Sequence, residues 1–215
     1  MTRKLVAESL AAGDAYRWNE DLYRRAERNR ETLPWVDGVP NPHLVSWLGA
    51  STDRPRSGAA LVVGCGLGDD AEELAKRGFR VTAFDISGTA IQWCRERFAG
   101  SAVEYRAADL FAPPAEWKRS FGLVVEAYTL QTLPADARRK AMGAISDFVA
   151  PGGTLLVIAR GRDPAEPKGE FPWPLTREEL GTFLSCGLVE AIFEDFMDRE
   201  TPPVRRFRIR YGRPA

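Results

Sequence analysis

The sequence predicts an α/β protein, a Rossmann-like, doubly wound, mostly parallel seven-stranded sheet with a C-terminal antiparallel hairpin and an N-terminal helical cap. From residue 59 onward, apolar runs alternate with segments of helical period, and that alternation demands a parallel sheet covered by helices. Two strand-like segments then close the chain with no helix between them. Ahead of the sheet stands a charged stretch that carries aromatic residues and breaks at a run of prolines. One domain, 1–215, is expected, with residues 1–50 as a cap and residues 58–215 as the α/β core.

The cap reads as helical from about Ala7 to Arg30, where Leu10, Trp18, Leu22 and Tyr23 sit among many charges in an irregular amphipathic pattern. Pro34, Gly38, Pro40 and Pro42 end it. A short helix from Pro42 to Leu48 follows, with Asn41 as its cap and Pro42 at the first helical position. Arg54, Pro55, Arg56, Ser57 and Gly58 form a link to the sheet.

Ala59 to Val63 is the first strand, and Ala71, Leu74, Ala75 and Gly78 mark a helix capped by Asp69 or Asp70. Arg80 to Phe84 is the second strand. The helix after it begins near Ser87 and turns Ile91, Cys94 and Phe98 inward. Ala102 to Arg106 and Phe121 to Glu126 are the third and fourth strands. Pro134 opens a helix with Ala141, Ile145, Phe148 and Val149 on its apolar stripe, and Pro151-Gly152-Gly153 stops it. Thr154 to Ala159 is a wholly apolar fifth strand, as a sheet covered on both faces requires. Gly187 to Met197 and Val204 to Tyr211 form the closing hairpin. There Arg206, Arg208 and Arg210 alternate with Phe207, Ile209 and Tyr211, which needs only one wet and one buried face.

Composition narrows the partners. The 30 basic and 30 acidic side chains cancel, so no global field favours nucleic acid or an anionic membrane, and small molecules are the expected partners. No apolar run approaches the roughly 20 residues that span a bilayer. Cys65, Cys94 and Cys186 have no paired spacing, which suits reduced thiols in the cytoplasm and offers no metal site.

The chemistry is concentrated at strand ends. Val62-Val63-Gly64-Cys65-Gly66-Leu67-Gly68-Asp69 runs from a strand through three glycines into a helix, the bare backbone that lets a nucleotide or amino-acid moiety come close. Asp85 ends the next strand about 20 residues on, where a carboxylate accepts ribose hydroxyls. A nicotinamide dinucleotide site shares these features, but its third glycine falls where this chain has Asp69. An acidic helix start repels a pyrophosphate and tolerates a ligand bearing sulfonium and ammonium groups. Asp109, within Ala107-Ala108-Asp109-Leu110, either meets an adenine amino group or caps a turn. Glu126 ends the fourth strand, followed by Tyr128, Thr129 and Gln131 on the same sheet edge.

On these residues the chain resembles the class I S-adenosylmethionine-dependent methyltransferases, and within them the thiopurine methyltransferase and thiol/halide methyltransferase branch. The branch features are Leu33-Pro34-Trp35-Val36-Asp37-Gly38-Val39-Pro40-Asn41-Pro42, Gly64-Cys65-Gly66-Leu67-Gly68-Asp69-Asp70 and Gly169-Glu170-Phe171-Pro172-Trp173-Pro174-Leu175. The resemblance implies S-adenosylmethionine as cofactor, held by Gly64, Cys65, Gly66, Asp85 and Ile86, by Ala108, Asp109 and Leu110, and by Glu126. It further implies that Trp18 and Trp35 fold over the cofactor, so that residues 1–50 act as a lid, and that Tyr128 and Trp173 line the acceptor site.

Two departures bear on the acceptor. Ala127 stands where the thiopurine enzymes have an arginine, and Asp37 follows Trp35 after one residue rather than directly. Arg160 and Arg162, past the fifth strand, either supply the missing anion contact or stay solvated. Methyl transfer from a sulfonium needs mainly positioning in a water-poor site, and a thiol acceptor asks for no base. The single histidine, His43, reads as a surface residue, which leaves Asp37, Glu126 and Tyr128 as proton or orientation partners, with Tyr128 and Asp37 the candidate catalytic residues. The expected function is methylation of a small, partly apolar thiol by a cytoplasmic monomer or homodimer. The alternatives are an O-methyltransferase of natural-product biosynthesis, an inactive cofactor-binding protein and, third, a nicotinamide reductase.

Overall fold

The computed structural model describes residues 2–33, 38–50, 55 and 57–215. Seven strands form one sheet in the order β3-β2-β1-β4-β5-β7-β6. They are β1 (Gly58–Val63), β2 (Phe79–Asp85), β3 (Glu104–Ala107), β4 (Phe121–Ala127), β5 (Val149–Arg160), β6 (Val189–Met197) and β7 (Arg205–Gly212). The first five are parallel, and β7 runs antiparallel to both β5 and β6. The strand order reverses between β1 and β4, and such a switch point opens a crevice at the carboxyl ends of the strands.

Period 2 divides the sheet's side chains between two cores. Leu61, Val63, Val124, Leu155 and Val157 face one side, where Trp117, Met142, Ile145 and Phe148 cover them. Ala60, Val62, Leu123, Val125 and Leu156 face the other, under Leu44, Trp47, Leu48, Leu74 and Ile91. The helices supplying these covers are α3 (Pro42–Ala50), α4 (Asp69–Lys76), α5 (Gly88–Arg97) and α6 (Ala135–Phe148), while the short α7 (Arg177–Leu180) and α8 (Thr182–Ser185) lead into β6. No helix among the described residues is long and apolar enough to cross a membrane.

The structure departs from expectation in four places. The cap is not one helical stretch but α1 (Thr2–Ala11) and α2 (Arg17–Arg25), because Gly13 takes a left-handed φ of 75° and turns the chain. The Trp18 N–H then donates to Ser9 Oγ at 3.2 Å, tying the second helix to the first. α4 is capped by neither Asp69 nor Asp70; Gly68 is its N-cap. Pro151-Gly152-Gly153 does not separate helix from strand, since β5 already begins at Val149. Gly152 N–H donates to Arg213 O at 3.0 Å and Arg213 N–H to Gly153 O at 2.9 Å, so the chain terminus holds these residues in extended form. Finally, the arginine face of β7 is not simply wet: Arg206 is buried and donates to Asp198 Oδ2 at 2.6 Å. Asn41 caps α3 as expected, and Ser87, near which α5 was expected to begin, caps that helix by accepting from Ala90 N–H at 3.0 Å.

The N-terminal helices are pinned to the core by polar as well as apolar contacts. Trp18, Leu22, Tyr23 and Leu33 pack with Leu67, Ala90, Trp93 and Phe171. Glu20 of α2 reaches the start of α5, accepting from Ser87 Oγ at 2.7 Å and from Thr89 Oγ1 at 2.6 Å. Burial works against ionisation there, yet the hydrogen bonds from Thr89, Ser87 and Arg24 prevail and hold the carboxyl at about 2. An anion at a helix N-terminus is also favoured by the helix dipole.

Candidate functional site

At the switch point a cavity of about 300 Å³ opens between the carboxyl ends of β1, β2 and β4 and the cap. The glycine loop forms its floor. Cys65 N–H donates to Phe84 O at 2.8 Å, and Gly66 N–H donates to Asp85 Oδ2 at 3.0 Å, so loop and second strand end are locked together. Gly64 has a φ of 60°, and a Cβ there would strike the Thr129 side chain; at Gly68, with φ 89°, a Cβ would lie 2.6 Å from Tyr105 Oη. At these two positions glycine answers to neighbouring side chains as well as to the cavity.

Asp85 is buried, and its Oδ1 accepts from Ser87 N–H at 2.9 Å. Burial pushes its carboxyl up to about 6, against the backbone hydrogen bonds from Ser87 and Gly66. Each carboxylate oxygen has a further lone pair, so ribose hydroxyls can still be accepted. Asp109 lines the cavity and also caps its own turn, accepting from Phe111 N–H at 2.8 Å. Ile86, Ala108 and Leu110 line the same wall, with Ile86 partly exposed.

The far end of the cavity is built by segments remote in sequence. Tyr128 follows β4 in a left-handed conformation with φ 67°, which is uncommon for a bulky residue and is held by its N–H bond to Ile158 O at 3.0 Å. Burial raises its hydroxyl, against the Arg206 guanidinium, which lies 5.0 Å from its ring, and the neighbouring Asn41 side chain. Asn41 N–H in turn donates to Asp70 Oδ1 at 2.6 Å. Burial raises the Asp70 carboxyl to about 6 despite that bond. Glu200, from the β6–β7 connection, completes this wall.

The cavity gathers most of the residues expected from sequence: Trp18, Gly64, Cys65, Gly66, Asp85, Ile86, Ala108, Asp109, Leu110 and Tyr128. Glu126, Arg160 and Trp173 do not line it. Glu126 is fully buried beneath the loop that follows β4, where its Oε1 accepts from Leu130 N–H at 2.9 Å and its Oε2 has no partner among the described residues. Burial pushes its carboxyl up to about 7. Arg160 meets the site only through its backbone, donating to Gln131 Oε1 at 2.9 Å. Arg162 is buried rather than solvated, donating to the carbonyls of Pro174, Asp163 and Glu166. The Trp173 backbone N–H donates to Gln131 O and its ring packs on Phe171, while Phe171 and Pro172 face the cavity. Phe171 packs edge-on against Trp18 with ring centroids 5.0 Å apart. Trp35 and Asp37 lie outside the described residues.

Sequence reasoning missed Tyr16, Asn19, Tyr23, Phe111, Glu200 and above all His43, which read as a surface residue and lines the cavity half-buried. A signal existed for His43. Leu44, Trp47 and Leu48 fix which face of α3 meets the sheet, and the helix start beside them then falls at the sheet edge.

The arrangement suits a cationic ligand. Asp69, Asp70, Asp85, Asp109 and Glu200 line the cavity, and no lysine or arginine among the described residues does. Asp69 is paired with Arg97 at 2.9 Å and Glu200 with Arg206, which leaves Asp70, Asp85 and Asp109 to set the field.

Residues 60–153 match the family described as Methyltransferase domain. An uncharacterised methyltransferase of Mycobacterium bovis is 34% identical over 135 residues, covering 61% of this chain and 61% of that protein. The ubiquinone biosynthesis O-methyltransferase of Azotobacter vinelandii is 31% identical over 126 residues, covering 58% of this chain. The chain therefore spans 61% and 53% of the lengths of these two relatives. A solved structure of the Burkholderia thailandensis 1,6-didemethyltoxoflavin-N1-methyltransferase, with 1,6-didemethyltoxoflavin and S-adenosylhomocysteine bound, aligns with a TM-score of 0.71 at 17% identity, covering 92% of this chain and 87% of that one. Residues 60–153 are thus similar to that methyltransferase family, and the seven-stranded sheet is the fold of the solved methyltransferase structure.

Proposed function

We propose that the protein transfers a methyl group from S-adenosylmethionine to a small-molecule acceptor. The observation that carries this reading is the meeting of the glycine loop with the Asp85 carboxylate in a cavity lined by acids and by no cation among the described residues. Asp85 would take the ribose hydroxyls, residues 108–110 the adenine, and Gly64 to Gly66 the amino-acid end. Trp18, with Phe171 against it, closes the cavity from the cap side and excludes water. When bound, S-adenosylmethionine supplies a methyl group already activated on a sulfonium. The protein's share is then to orient the acceptor at near-attack distance. On this reading residues 1–50 are the lid of a single domain, 1–215, and Trp35 and Asp37 belong to it.

A thiol is the acceptor suggested by the resemblance of residues 33–42, 64–70 and 169–175 to the thiopurine and thiol/halide branch. A second reading, a hydroxyl acceptor, is favoured by one observation, His43 in the cavity wall. Nucleic acid is disfavoured, since Arg205, Arg206 and Arg208 of β7 are each paired with a carboxylate. The unpaired cysteines favour a reducing cytoplasm, with the protein as a monomer or homodimer.

Calorimetric titration with S-adenosylhomocysteine is expected to give saturable heat and a raised melting temperature. Absence of both ends the proposal, and reduced nicotinamide dinucleotide producing them instead would replace it. Labelled S-adenosylmethionine with thiol, hydroxyl and amine panels then separates the acceptor classes, while binding with no turnover on any panel would indicate a cofactor-binding protein.

A further inference from the structure

We propose that His43 takes the proton from the methyl acceptor as it reacts, and that the acceptor is an uncharged aromatic hydroxyl compound. This rests on the methyltransferase reading above and specifies its substrate class. His43 is the only histidine in the chain, and it lines the cavity beside Asn41 and Tyr128. Its position is fixed from three sides. Its backbone N–H donates to Asn41 Oδ1 at 2.9 Å, its backbone carbonyl accepts from Arg208 Nη1 at 2.9 Å, and its ring meets Phe196 edge-on at 5.2 Å.

The charges around it favour the neutral imidazole. Arg206 and Arg208 face it from β7, Asp198 and Glu200 from the β6–β7 connection, and Glu194 of β6 holds Arg208 at 2.6 Å. Burial first, and then Arg206 and Arg208 against the two acids, keep the ring below its ordinary value, so at neutral pH it is free to accept a proton. The other groups at this end are committed. The Tyr128 phenol is raised by burial and stays protonated, Glu200 is bound to Arg206, and Asp70 accepts from the Asn41 backbone.

The acceptor's class follows from its walls. A carboxylate or phosphate entering here would meet acids, since Arg206 is engaged by Asp198 and Glu200 and Arg208 by Glu194. Tyr16 and Phe111, with ring centroids 5.3 Å apart, and Tyr128 and Phe171 offer faces and edges for an aromatic ring. A thiol would leave the imidazole idle, whereas a phenol, with a pKa near ~10, gains from a base. In the step, the acceptor's O–H bond breaks and its proton passes to a neutral imidazole nitrogen. An oxygen electron pair forms the new O–C bond as the carbon–sulfur bond breaks onto sulfur. The positive charge thus moves from sulfonium to imidazolium, which later gives its proton to water.

The single histidine makes the test direct, because the full-length protein has one imidazole to follow by NMR. Its resonance is expected to titrate below the free-histidine range and to shift when S-adenosylhomocysteine saturates the protein. His43→Gln is expected to bind S-adenosylhomocysteine within about twofold of wild type while turnover of a phenol panel falls at least ~100-fold and the acidic limb of its kcat profile disappears. Phenol turnover within about threefold of wild type, an unchanged acidic limb, an imidazole indifferent to S-adenosylhomocysteine, or turnover of thiols or amines alone would each overturn the inference. Should His43→Gln not fold, the wild-type imidazole titration and the panel still decide. Failure of wild type to bind S-adenosylhomocysteine removes the underlying reading, whereas normal binding with any of the adverse results removes His43 alone.

Discussion

The two ends of the cavity are built differently. The glycine-loop end comes from residues 62–69 and 84–87, neighbours along successive βα units, and its Asp85 carboxylate is bonded to backbone N–H groups. The Tyr128 end joins residue 41–43, residue 128 and residues 198–208, held by a buried ion pair of Arg206 and Asp198 whose side chains are 5% and 3% exposed. The first end is a product of local connection and the second of long-range packing. A ligand-binding function can therefore keep the first while the second is rebuilt for a new acceptor.

That contrast can be broken most forcefully at Arg206. Replacing it by alanine leaves Asp198 buried without its partner, and the expected loss is about 3–5 kcal/mol of stability, or roughly 6–20 °C in melting temperature. A melt within about a degree of wild type would mean the far end is not held by this pair. At the glycine-loop end, Asp85→Ala is expected to weaken S-adenosylhomocysteine binding by about 1–3 kcal/mol in a folded protein, read by calorimetry. In wild type the carboxyl sits at about 6, and its neutral form gives up acceptor capacity, so affinity should fall as pH drops below that value. The fall should vanish in Asp85→Asn; its persistence there would assign the titration to another group.

Glu126, under the loop shared by both ends, gives an effect of the opposite sign. A carboxyl raised from 4.5 to about 7 in the folded state binds its proton more tightly folded than unfolded, so stability is lost as pH rises through that interval. Glu126→Gln removes the loss and is expected to be more stable than wild type at pH 8 by on the order of 1–3 kcal/mol, with the gap closing toward pH 4. Denaturant melts at both pH values check this, and a constant gap would sink the assignment.

How much was legible follows the same division. The βα alternation, the helix start at Ser87, the Asn41 cap and the nearness of the glycine loop to Asp85 were readable because each depends on residues close in sequence and on side-chain period. Gly13 was not read as a break, since a glycine within a charged helical pattern does not announce its φ. Trp173 was expected at the acceptor, but it does not line the cavity, where its neighbours Phe171 and Pro172 stand. Arg162 read as a solvated loop residue because nothing local reveals three carbonyls gathered around its guanidinium.

By itself the sequence determined the layered sheet, its crossover pattern and the acidic glycine-loop site, because periodicity, turn chemistry and strand-end spacing act over a few residues. Only the tertiary structure decided that His43, Tyr128 and Glu200 share one wall while Glu126, Arg160 and Trp173 stand off it. The reason is that burial and hydrogen-bond partners drawn from opposite ends of the chain select which side chains face the cavity, and no local pattern encodes that selection.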